Sequence, residues 1–205
     1  VKGAAFVCFG VAALAGLVII LLTGHWWLIA VGLACIVAAW FYTGGSRPYG
    51  YAGWGEVFVF IFFGLVAVLG THFIISSRLS WASLVAAIGV GALACALLVV
   101  NNLRDVPTDR EAGKHTLATR LGDRRTRIFF GILILTALLS VLLLGWLLSW
   151  WALLGLTLLL PGQASLRVVL SSATGRSLVP ALKTTGQAEL LMGIGLLCGV
   201  AIASW

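Results

Sequence analysis

Apolar runs of about 17–20 residues, uncharged except for Glu189 in the last, recur along the chain, near 3–22, 26–42, 57–75, 81–100, 128–147, 148–166 and 188–204. At 1.5 Å per residue each can cross roughly 30 Å of hydrocarbon as a helix. The runs are apolar on all sides and do not alternate with period two, which predicts helices and not the strands of a barrel. The pattern therefore predicts an all-α, polytopic transmembrane bundle of about seven spans. The least distinct boundary falls at Leu147-Leu148-Ser149-Trp150-Trp151, and Pro161-Gly162 is expected to kink or shorten the sixth span. Gly195 and Gly199, spaced G-x-x-x-G, would let the last helix approach a neighbour closely. The first run lacks a small-residue cleavage site followed by a polar mature chain, so it reads as a span and not as a signal peptide.

Composition supports the same class. Of 205 residues, 61% are hydrophobic and 9% charged, whereas soluble domains hold about 45–50% and about 25%. The four cysteines, Cys8, Cys35, Cys95 and Cys198, sit singly inside apolar runs with no C-x-x-C, as small packing residues do. Thirteen bases against six acids give a net charge of +7. In a membrane chain that excess marks the loops kept in the cytoplasm and not a nucleic-acid partner. With the N-terminus inside, Lys2, Arg47, the seven bases from Arg104 to Arg127, and Arg167, Arg176 and Lys183 share one side, leaving Arg78 alone on the other. This predicts a multi-pass plasma-membrane protein whose loops 43–56 and 101–127 face the cytoplasm.

The acids are still more concentrated, since Asp105, Asp109, Glu111 and Asp123 all follow the fourth run within nineteen residues. On a helix, Asp105 and Asp109 stand about 40° apart around the axis and face one side. Two carboxylates so placed suit Mg²⁺, which takes one or two acids and completes its shell with water and phosphate oxygens. Lys114, with Arg104, Arg110 or Arg120, then supplies positive charge for phosphate. Pro107 is expected to end the fourth helix near Asp105 and begin another. The competing reading, a solvated loop that only holds topology, is weakened by Asn101 and Asn102, because polar groups at the end of an apolar span commonly line a cavity.

A second polar segment, residues 42–56, carries five glycines and three tyrosines. Arg47 there could meet an anion, and Tyr49 and Tyr51 could stack on a ring or a cation. An interfacial loop with an aromatic belt explains the same composition. His25, His72 and His115 have no metal-ligand spacing, and no phosphate-binding P-loop, G-x-S-x-G or H-E-x-x-H occurs. A transporter with a polar vestibule would carry ionisable residues within spans and internal repeats, which the sequence scarcely offers.

The stretch N-N-L-R-D-V-P-T-D-R-E-A-G-K-H-T-L-A-T-R-L-G resembles the second aspartate-rich motif of the UbiA superfamily of intramembrane aromatic prenyltransferases. Together with Y-T-G-G-S-R-P-Y-G-Y-A-G-W-G-E it is similar to the branch that prenylates 1,4-dihydroxy-2-naphthoate for menaquinone biosynthesis. The resemblance implies a helical bundle of about nine spans and a Mg²⁺-dependent transfer of a polyprenyl group from polyprenyl diphosphate to the naphthoate, giving demethylmenaquinone. Acceptors such as 4-hydroxybenzoate define sister branches. Carried over by position, Asp105 and Asp109 match the Mg²⁺-binding acids, Asn101 and Asn102 their polar lead-in, and Lys114 a diphosphate contact. Arg104 and Arg110 flank them, and Arg47, Tyr49 and Tyr51 fall in the family's other loop. Nothing matches the family's first N-D-x-x-D-like motif or its first two spans. Residues 1–205 are therefore expected to be one N-terminally truncated prenyltransferase domain, inactive alone.

Overall fold

The computed structural model describes residues 2–46 and 48–205, with the side chains of Lys2 and Ala5 outside that description. Residues 1–50 and 51–205 form two compact units. In the first, helices α1 (Lys2–Thr23) and α2 (Leu28–Thr43) make a hairpin. Its short connection is possible because Gly24 takes φ +71°, a conformation open to glycine without a Cβ penalty. The Phe6 and Trp40 rings meet at 6.1 Å across the pair.

The second unit holds α3 (Gly55–Ser76), α4 (Trp81–Glu111), the short α5 (Leu117–Leu121), α6 (Asp123–Leu147), a 3-10 segment (Trp150–Leu158) leading into α7 (Leu159–Leu170), and α8 (Val179–Ala203). Residues Phe60–Leu69 of α3 are wound as π-helix. The core is built around α4: Ala92, Ala96, Val99 and Val100 are fully or almost fully buried. They pack in one cluster with Phe130, Ala137 and Val141 of α6 and with Ala188 and Met192 of α8. Small residues allow the closest crossings. A Cβ at Gly64 would lie 2.7 Å from the Gly91 Cα, so α3 and α4 touch backbone to backbone there. A Cβ at Gly195 or Gly199 would overlap the Leu154 or Trp151 carbonyl, so the last helix uses its G-x-x-x-G face against the 3-10 segment.

The all-helical polytopic bundle is as expected, and the chain is a multi-pass membrane protein, but several details differ. Among the described residues six helices are long and apolar enough to span, while the second run forms the 16-residue α2, about 24 Å long and shorter than a typical hydrocarbon core. Pro107 does not break the fourth helix, which continues to Glu111. Only one backbone donor is lost, and Pro107 lies on the exposed face, where a helix can open toward water while the buried Leu103 and Asp109 hold it on either side. Pro161 does not end the sixth span: it sits in the first turn of α7, directly after the 3-10 segment, a position that tolerates its missing N–H. The last helix begins at Val179, nine residues before the apolar run. Lys183 is therefore helical, and Glu189 is an acid within a span.

Candidate functional site

The candidate site lies at the end of α4. Gly113, at φ +68°, turns the chain back so that the Lys114 N–H donates to the Asp109 carbonyl at 2.8 Å, a Schellman-type closure. The same turn swings the Lys114 side chain over its own helix end, where Nζ donates to Asp109 Oδ1 at 3.0 Å. Asp109 is only 6% exposed. That hydrogen bond raises the Lys114 ammonium above its ordinary value, desolvation opposing it and the Asp109 charge adding to it. Asp105, one turn earlier, receives Arg104 in a two-pronged pair, Nε to Oδ1 at 2.7 Å and Nη2 to Oδ2 at 2.6 Å. Both side chains are about one-third exposed, so the pair adds about 0–1 kcal/mol and opens at little cost.

The glycine-rich loop before α3 reaches this cluster from the side. Tyr51 O accepts from His115 N at 2.8 Å, and Lys114 Nζ stands 4.7 Å from the centre of the Tyr51 ring. Gly53 permits the contact: its φ is +80°, and a Cβ there would sit 3.0 Å from Arg120 Nε and 3.1 Å from the His115 carbonyl. Three residues on, Glu56 lies in the first turn of α3 and is 4% exposed. Its carbonyl accepts from Cys95 Sγ at 3.1 Å, and its Oε1 accepts from Asn102 Nδ2 at 2.9 Å. The two segments singled out in the sequence thus meet through Tyr51, Gly53 and Glu56.

Among the expected site residues, Asn102, Arg104, Asp105, Asp109, Lys114 and Tyr51 gather here. Asn101 is half-buried beside them and Arg110 is exposed, neither with a side-chain hydrogen bond or ion pair among the described residues. Arg47 lies outside the described residues. Tyr49 belongs to the first unit, where its hydroxyl donates to the Ala38 carbonyl at 2.6 Å and its ring meets Tyr42 edge-on at 5.5 Å. Burial pushes its phenol upward.

The model of the UbiA prenyltransferase family matches residues 2–178. The chain belongs to that family. It is 48% identical over 192 residues to the 1,4-dihydroxy-2-naphthoate octaprenyltransferase of Mycobacterium tuberculosis, covering 93% of this chain and 65% of that protein. The enzyme of the same name from Mycobacterium leprae is 44% identical, over 98% and 67%. That of Escherichia coli is 38% identical, over 87% and 58%. The chain thus spans about two-thirds or less of the length of these relatives. No solved structure matches it significantly. Family membership removes the transporter reading.

Two residues that sequence reasoning passed over matter in this family member. Glu56 read as the last polar position of a loop; the signal was a lone acid directly before an apolar run. Arg127 read as one more topogenic base, yet it is 8% exposed. It donates to both Asp123 oxygens at 2.7 Å and to the carbonyls of Val169 at 2.5 Å and of Ser171 and Ala173 at 2.7 Å. It ties α6 to the end of α7.

Proposed function

We propose that the protein of which this chain forms part transfers a polyprenyl group from its diphosphate to 1,4-dihydroxy-2-naphthoate in menaquinone biosynthesis. The reading draws on the names of its relatives. Within the chain it rests on one observation: a buried and a half-buried carboxylate, one turn apart, each held by its own cation at a helix end. Among the described residues no three His, Cys, Asp or Glu side chains converge. The donor set of two acids fits Mg²⁺, whose remaining positions go to water and phosphate oxygens, and does not fit a closed zinc site. Asp105 and Asp109 would hold the ion, which when bound neutralises the leaving diphosphate.

Arg104 and Lys114, both at the acids already, meet the outer phosphate oxygens, and exposed Arg110 adds charge at the rim. The Tyr51 ring keeps Lys114 on the site side of its turn. As the allylic C–O bond breaks, its electron pair leaves with the diphosphate and a ring carbon of the naphthoate bonds to the prenyl carbon. The ring carboxylate departs as CO2 and leaves its electron pair in the ring, so the product is the quinol form of demethylmenaquinone. The apolar wall of α4 beneath the acids keeps water from the allylic cation. On this reading the two site loops face the cytoplasm.

The test compares turnover of 1,4-dihydroxy-2-naphthoate and 4-hydroxybenzoate by the full polypeptide, with Asp105→Asn and Asp109→Asn beside it. The naphthoate should be preferred, and each substitution should lower turnover about 10²-fold or more, as loss of charge stabilisation at a leaving group does. Near-normal turnover in both variants would leave the segment a topogenic loop.

A further inference from the structure

Glu56 holds one carboxylate oxygen against Asn102 and leaves the other, Oε2, buried with no hydrogen-bond partner among the described residues. A buried acceptor without a donor is costly, because water has been removed and nothing replaces it. Its position is not accidental. The Gly64·Gly91 crossing runs α3 antiparallel to α4, and the Cys95 and Asn102 bonds pin the start of α3 at two points two turns apart. Asn102 and Asp109 stand about 20° apart around α4 and about 10.5 Å apart along it. Glu56 therefore sits on the membrane side of the acid pair, at the depth where the reactive end of a prenyl chain would enter when its diphosphate is held at Asp105 and Asp109.

The chemistry of the free oxygen restricts its partner. An ionised carboxylate only accepts hydrogen bonds. A prenyl diphosphate carries acceptors alone and would be repelled, whereas an aromatic diol carries hydroxyl donors. No Lys, Arg or His forms an ion pair with Glu56 among the described residues, so no protein cation competes for the place. We propose that Glu56 binds the aromatic acceptor, Oε2 accepting a hydrogen bond from a ring hydroxyl while Asn102 locks Oε1 and so decides which oxygen is presented. The inference rests on the prenyl-transfer reading and adds to it the residue that selects a hydroxylated ring. Pulling density through the hydroxyl toward the ring also favours its attack on the allylic cation.

The test uses the full polypeptide in lipid nanodiscs. KM for naphthoate and for prenyl diphosphate are measured separately in wild type and Glu56→Gln, with 1,4-dihydroxy-2-naphthoate and its two analogues lacking one hydroxyl. One analogue should be about tenfold or more poorer in the wild type, since a site built for a hydroxyl rejects the ring without it. In Glu56→Gln that preference should fall toward unity and the diol KM should rise about tenfold, with the diphosphate KM within about twofold. Competition by the two analogues against wild type gives a readout that does not need the variant to fold. Equal affinity of both analogues and the diol would overturn the proposal, as would an unchanged diol KM and preference in a folded variant. If wild type transfers prenyl groups and Glu56→Gln keeps its acceptor KM, only the role of Glu56 falls. If wild type prenylates no hydroxyarene, the functional reading fails and this inference with it.

Discussion

Lys114 Nζ lies over the Tyr51 ring at 4.7 Å from its centre, joining residues from two loops on opposite sides of α3 and α4 in sequence. The ring face and Asp109 together leave the ammonium little choice of direction. Removing the charge by Lys114→Gln should raise the KM for prenyl diphosphate about 10- to 100-fold, the range for one charge-assisted hydrogen bond. Tyr51→Leu should raise it about two- to fivefold and Tyr51→Phe much less, because the ring face and not the hydroxyl makes the contact. Because the Lys114 value is raised, its pairing is complete below the ordinary ammonium range and is lost only as pH rises through the raised value. Steady-state kinetics with each substrate varied in turn decides the matter, and an unchanged diphosphate KM in Lys114→Gln would remove Lys114 from the site.

Arg127 is a structural keystone and should behave differently. Replacing it by Met strands the Val169, Ser171 and Ala173 carbonyls, which should cost about 3 kcal/mol or more. Lys cannot replace the planar fork and should rescue little. The exposed Arg124 and Arg125 replaced by Ala should stay within about 0.5 kcal/mol of wild type. Thermal denaturation in detergent measures this, and a wild-type Tm for Arg127→Met would contradict the buried network.

At the α8 crossing the backbones themselves are in contact. Gly195→Ala and Gly199→Ala each force a methyl onto a carbonyl, of Leu154 and Trp151 respectively, and should destabilise by about 1–3 kcal/mol. Gly193→Ala, a position with open space around it, is the matched control. Equal stability of all three variants would show that the helix does not pack this closely.

Orientation is open to labelling. In a background where Cys8, Cys35, Cys95 and Cys198, all free thiols, are replaced, a cysteine at Arg124 should react only from the cytoplasmic side and one at Ser149 only from the other. Reaction of both from a single face is incompatible with α6 as a span.

The helices and their membrane setting could be read along the chain, because twenty consecutive apolar residues have few stable alternatives. That Asp105 and Asp109 stand one turn apart was equally legible once both are helical, since periodicity alone sets that spacing. The same local rules misjudged Pro107, where packing on both sides outweighs one lost hydrogen bond. The contacts that gather these residues were decided elsewhere. Glu56 meets Asn102 from 46 positions away, and the Gly64·Gly91 crossing together with the Cys95 contact sets which turn of α4 it faces. Tyr51 reaches Lys114 because Gly53 has no side chain to hold the loop off Arg120 and His115. Such choices depend on how closely two backbones can approach, a property of pairs of surfaces that periodicity within one strand of sequence does not carry.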